Sequence, residues 1–108
     1  MRDLIYKRQI RVSSEDLRAV QDGRKLCTIR LGTASVASPQ VDLTDGHNRT
    51  RVRIIQVDSS KTFGGITDRE IRGEGFNTQD ELEADLRKYY RGLTPDSPIT
   101  VIWFEVLP

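Results

Sequence analysis

Near the start of the chain, between Gly23 and Gly32, the sequence reads GRKLCTIRLG. An amine (Lys25), a hydroxyl (Thr28) and two guanidinium groups (Arg24, Arg30) fall within one short stretch. Such a set suits group-transfer chemistry, in which a hydroxyl attacks, an amine removes its proton and a guanidinium steadies the oxyanion. An amine at its reference pKa of about 10.4 is protonated, so Lys25 can serve as a base only if desolvation or nearby positive charge favours its neutral form. Arg24 and Arg30 are placed to help. Ordinary readings stand beside these: Thr28 as a β-branched strand residue with a solvated hydroxyl, and Lys25 as a cation at the C-terminal end of a helix.

The spacing constrains the choice. Cys27, Ile29 and Leu31 alternate with Thr28 and Arg30, so the apolar set points to the core and Thr28 points away from it. Lys25, three residues before Thr28, would lie on the opposite face of a regular strand. A shared site therefore requires Lys25 to stand in an irregular helix-to-strand turn, which Gly23 permits. Cys27 reads as a small core residue rather than a nucleophile.

The surrounding elements must position this stretch. Leu4 to Val12 reads as a first strand. SSEDLRAVQDG follows as a short amphipathic helix, with Ser14 as N-cap, acidic Glu15 and Asp16 in the first turn, and Gly23 as the left-handed stop. The polar run GTASVASPQ leads into VDLTDGHN, a short strand and turn in which His47 is exposed. Arg49 to Val57 reads as a strand whose alternation reverses after Ile54, the mark of a bulge or of burial on both sides. One helical turn is expected over Thr67 to Ile71. Thr78 with Glu81 opens a second helix carrying Leu82, Leu86 and Tyr89 or Tyr90, with Gly92 as its stop. ITVIWFEV, apolar on both faces, reads as a central final strand. The order predicts an α+β fold, a small barrel with two main flanking helices.

At 108 residues the chain fits one domain over 1–108. Its 17 Lys and Arg against 16 Asp and Glu give a formal charge of +1, unlike a strongly basic nucleic-acid binder. The single cysteine excludes an intrachain disulfide, and no Cys/His set has zinc spacing, so no metal site is expected. MRDLIYKRQIR lacks the apolar run of a signal peptide, and VIWFEVL is short and interrupted by Glu105. A cytoplasmic monomer without membrane contact is the expectation.

The helix, the GRKLCTIR motif at Gly23 to Arg30, the EGF at Glu74 to Phe76, the TQDEL at Thr78 to Leu82 and the closing IWFE resemble the ASCH domain, a branch of the PUA-like barrels. In size and motif the chain looks closest to the small bacterial acetylcytidine amidohydrolases. The resemblance implies a PUA-like barrel that cleaves the amide on the exocyclic nitrogen of acylated cytidine without metal or organic cofactor. It also implies that Lys25, Thr28 and Glu74 are the catalytic set. Glu74, which alone would read as an exposed loop carboxylate, then shuttles a proton or orients the amine. Arg24, Arg30, Tyr6 and Phe76 are the expected substrate contacts.

A second reading concerns Arg49, Arg51 and Arg53, which line one strand face. They either protect an outer strand from edge pairing or track RNA phosphates, with Tyr6, Phe63 and Phe76 available to stack on a base. The alternative to the enzyme is thus a noncatalytic RNA-binding module, or a ribonuclease, on the same fold.

Overall fold

The final strand organises the molecule, which is described over residues 4–108 by a computed structural model. Strand β7 (Pro98–Val106) lies between β6 (Arg49–Thr62) and β3 (Cys27–Leu31), antiparallel to both. It sends Ile99, Val101 and Trp103 into one apolar cluster and Ile102 and Phe104 into another. A strand buried on both faces has no polar side to show, which is why ITVIWFEV lacks alternation.

Beyond β6 the sheet continues through β5 (Gln40–Thr44) to β2 (Gln9–Arg11), giving the order β2-β5-β6-β7-β3. A separate parallel pair joins β1 (Leu4–Tyr6) to β4 (Ala34–Val36). The expected first strand is therefore two strands. The chain switches sheets at Lys7 and Arg8, with Ala37 donating its N–H to the carbonyl of Tyr6 and Asp42 donating to that of Arg8. β4 itself lies in the polar run GTASVASPQ, where the sequence carries no strand pattern.

The expected barrel is not closed by strand pairing among the described residues, since β2 and β3 remain the two edges of an open five-stranded sheet. β6 supplies the curvature. Its register against β7 shifts between Ile54 and Gln56 and again between Asp58 and Lys61, the first where the alternation reverses.

Among the described residues three α-helices accompany the sheet, α1 (Ser14–Gln21), α2 (Asp68–Gly73) and α3 (Gln79–Leu86), with α2 standing where one helical turn is expected. The N-cap of α1 is Ser13, whose Oγ accepts from the N–H of Asp16 at 3.0 Å, not Ser14. Ser14 is left free to donate elsewhere. Helix α2 opens with a complete capping box between Thr67 and Glu70. Helix α3 is capped by Thr78 as expected but ends at Leu86, well before Gly92. There the N–H groups of Tyr89 and Tyr90 both turn back to the Leu86 carbonyl, which closes the helix without a glycine.

Gly73, in the last turn of α2, marks the closest approach of helix to sheet. A Cβ there would stand 2.7 Å from the Trp103 ring and 2.9 Å from the Cys27 sulfur. Gly73→Ala is therefore expected to destabilise the fold by about 1–3 kcal/mol, outweighing the gain of roughly 1 kcal/mol that alanine brings to a helix. Urea denaturation checks this; unchanged or higher stability would mean that the ring and thiol move aside freely.

Candidate functional site

Helix α1 ends so as to put Lys25 off the strand. Gly23 has a φ of +79°, and the N–H groups of Gly23 and Arg24 return to the carbonyls of Val20 and Ala19. This is a Schellman stop, which reverses the chain at its left-handed residue. The N–H of Lys25 also reaches the Ala19 carbonyl, at 3.1 Å, so the residue sits in the turn and its side chain is not bound by the alternation of β3.

Glu74 arrives from the other direction, as the C-cap of α2. A carboxylate at the negative end of a helix dipole gains nothing locally, so its tertiary partners account for its place there. Its Oε2 accepts from Lys25 Nζ at 2.8 Å, and its Oε1 accepts from the backbone N–H of Ile29 at 2.7 Å. β3 is a sheet edge, and the carboxylate occupies the position a further strand would take. Both side chains of the pair are almost wholly buried, 1% exposed for Lys25 and 4% for Glu74. Burial pushes the Glu74 carboxyl up from its ordinary 4.5, against the opposing pull of Lys25 and of its two hydrogen bonds.

Thr28 stands between these two residues in sequence and is itself buried, 4% exposed. With Lys25, Ile29, Arg30 and Glu74 it lines a cavity of about 460 Å³. Its hydroxyl makes no hydrogen bond among the described residues. The remaining wall comes from Arg11 to Ser14 and Asp16, from Asp45, and from Asp85, Leu86, Tyr89 and Tyr90 at the end of α3. Asp45 is held well below the usual carboxylate range, first by the backbone N–H of Asn48, then by the Ser14 hydroxyl and the N–H of His47. Asp16 acts on Glu74 through its charge and reinforces the neutral form.

No family model matches the chain, and no curated protein matches it. Among solved structures, the hypothetical protein PH0355 superposes with a TM-score of 0.69 at 15% identity, covering 94% of this chain and 99% of that one. Protein EF3133 from Enterococcus faecalis, of the DUF984 family, gives 0.67 at 20% identity, over 96% and 81% of the two chains. An ASCH domain from Lactobacillus crispatus gives 0.64 at 12% identity, over 95% and 79%. The chain has an ASCH-like fold. At these identities the likeness concerns the fold, an α+β arrangement, and leaves the chemistry to the residues themselves.

Within this ASCH-like fold Lys25, Thr28 and Glu74 share one cavity wall, although Glu74 lies 49 residues from Lys25. Arg30 joins them. Its Nη2 donates to the Arg11 carbonyl at 2.9 Å, and its guanidinium lies over the Tyr6 ring at 5.8 Å, so Tyr6 backs Arg30 rather than lining the cavity. Arg24 and Phe76, expected at the substrate, stand outside it. Arg24 is exposed and paired with Asp22 at 3.0 Å, and Phe76 packs against the apolar cluster around Trp103.

Phe63 is a core residue and cannot stack on a base. The cavity aromatics are Tyr89 and Tyr90, which the sequence placed only as helix-face residues. Their signal was the pair itself, too close together for both to face the core. Cys27 is buried and its thiol is pushed up by that burial, in keeping with a packing role. His47 is exposed.

The arginine stripe is engaged with acids on neighbouring strands. Arg49 and Arg51 both reach Asp42, at 3.5 and 2.8 Å, and Arg53 pairs with Glu105. Among the described residues no group of three or more His, Cys, Asp or Glu is placed to hold a metal ion, and no helix is long and apolar enough to cross a membrane.

Proposed function

We propose that this protein hydrolyses the amide of N-acylated cytidine or a related acylated cytosine nucleoside, with Thr28 as nucleophile, Lys25 as base and Glu74 as proton carrier. The observation that carries the reading is the buried Lys25–Glu74 pair, 2.8 Å apart, set in the same cavity wall as a hydroxyl without a hydrogen-bond partner among the described residues. An ion pair taken from water adds little to stability, so its retention beside a cavity points to chemistry.

The Glu74 carboxyl, raised by burial, takes the proton that the Lys25 amine must shed before it can accept one from Thr28. The Thr28 oxygen then bonds to the acyl carbon, and the carbonyl becomes an oxyanion. Collapse breaks the bond to the exocyclic nitrogen, which leaves with a proton from Lys25 as the free amine. Water, deprotonated by the same amine, cleaves the acyl-threonine ester and restores the hydroxyl. The products are cytidine and a carboxylic acid, and no metal or organic cofactor enters the balance. Tyr89 and Tyr90 offer faces for the base, and Arg30 anchors the ligand on the strand side.

Incubation with acetylcytidine in the presence of a chelator, followed by the absorbance of the acylated base, tests the reading. Loss of that absorbance is expected. No turnover over several acyl chains, together with tight RNA binding, would replace the enzyme with the RNA-binding module.

That alternative has less support, because every arginine of the stripe already has a carboxylate partner. Replacing Arg49, Arg51 and Arg53 together with Gln is expected to leave RNA affinity weak and its salt dependence nearly unchanged. Phosphate-contacting arginines would instead each contribute about one unit to the salt slope. Submicromolar binding that collapses in the triple variant would overturn this expectation.

A further inference from the structure

Arg11 and Arg30 differ from the arginines of the stripe. Arg11, the last residue of β2, and Arg30, in β3, both line the cavity, and the Arg30 side chain reaches the Arg11 backbone. Neither has an acidic partner among the described residues. The Arg11 guanidinium is folded against the Asp45–Asn48 turn, where a Cβ on Gly46 would stand 2.7 Å from its Nη2. Gly46, with a φ of +99°, leaves that room. Arg30 makes one hydrogen bond of the five its guanidinium can donate, and its Nε is buried with no partner.

Three of the four acids that line the cavity are engaged elsewhere. Glu74 holds Lys25, Asp85 reaches Lys88 at 3.5 Å, and Asp45 receives the Ser14 hydroxyl and two backbone N–H groups. Asp16 lies within electrostatic reach of Glu74. Two guanidinium groups that line one cavity, neither ion-paired with a carboxylate among the described residues, are available to an anionic ligand. Their forks match phosphate oxygens in geometry as well as charge.

We propose that Arg11 and Arg30 form a phosphate subsite of the cavity, so that its ligand is a nucleoside monophosphate rather than the bare nucleoside. The inference rests on the proposed cytidine chemistry for the identity of the base. A single mononucleotide phosphate is favoured over an RNA chain because the arginine stripe, which would have to extend the cationic track, is already engaged with acids. The stripe on β6 is neutralised by Asp42 and Glu105.

Calorimetric titration of the protein with cytidine, cytidine 5′-monophosphate, cytidine 3′-monophosphate and a trinucleotide with a central cytidine reads the subsite without requiring turnover. One monophosphate is expected to bind about tenfold or more tightly than cytidine, the range of a charge-assisted hydrogen bond. Arg11→Gln and Arg30→Gln should each bring that ratio towards one, with melting temperatures confirming that the variants fold. Equal binding of cytidine and both monophosphates to the wild-type protein overturns the subsite. Tighter binding of the trinucleotide than of either monophosphate overturns the mononucleotide and assigns the phosphate to a chain. Failure of the hydrolysis is distinguishable: phosphate preference without amide cleavage removes the proposed reaction and leaves the subsite standing.

Discussion

Lys25→Ala and Thr28→Ala should each lower the turnover of acetylcytidine by at least about a hundredfold. Each removes a participant in bond making rather than a binding contact, and general-base catalysis alone accounts for about 10²–10⁴. Lys25→Arg should fail equally, because a guanidinium does not give up its proton near neutral pH. Thr28→Ser, which keeps the hydroxyl, should retain much of the rate. The decisive quantity is kcat, measured alongside circular dichroism and thermal melting. A well-folded Thr28→Ala variant with near-normal kcat would mean that water attacks directly. The same result for Lys25→Ala would remove the amine from the mechanism.

Glu74→Ala should be among the most destabilising substitutions in the chain. It leaves the Lys25 amine, 1% exposed, without its carboxylate, and it leaves the Ile29 N–H on the edge strand unpaired. Breaking a buried pair from one side costs about 3–5 kcal/mol, which for a domain of this size is on the order of 10–30 °C in melting temperature. Glu74→Gln keeps an acceptor for the N–H and should cost less, while still abolishing the proton relay.

The carboxylate also gives the wild-type protein a pH signature. Its folded pKa lies above the ordinary 4.5, so as pH rises past that value the unfolded chain loses its proton first. Stability then falls with pH until the folded group ionises, and is level beyond. Urea denaturation at several pH values above about 4.5 should show this decline in the wild type and its absence in Glu74→Gln. The same decline in both would assign it to another group.

Local chemistry made much of the site's framework legible. The Schellman glycine, the alternation of Cys27 to Leu31 and the odd spacing between Lys25 and Thr28 depend on residues a few positions apart. Backbone sterics and side-chain periodicity act at that range. The bulge after Ile54 and the two-faced burial of β7 were readable for the same reason. Ser13 displaced Ser14 as the N-cap because two adjacent serines satisfy the capping rule equally. The hydrogen bond from Ser14 to Asp45, 31 residues away, decides between them.

What the sequence could not determine depends on contacts across the chain. The split of the first strand into β1 and β2 follows from pairing with β4 and β5, and the polar composition of β4 concealed the partner. Glu74 reads locally as a loop carboxylate; burial and its two hydrogen bonds give it another character, and both arise from β3 and the α1 turn. The aromatic wall depended on α3 stopping at Leu86, which turns Tyr89 and Tyr90 into the cavity. Which groups are available and which faces they occupy can be read along the chain, because rotamer, capping and alternation rules act over a few residues. Which charges meet a partner is settled through space, where Asp42 and Glu105 stand against the stripe and Arg11 and Arg30 have no acidic partner among the described residues, because desolvation and Coulomb energy depend on distance and not on sequence separation.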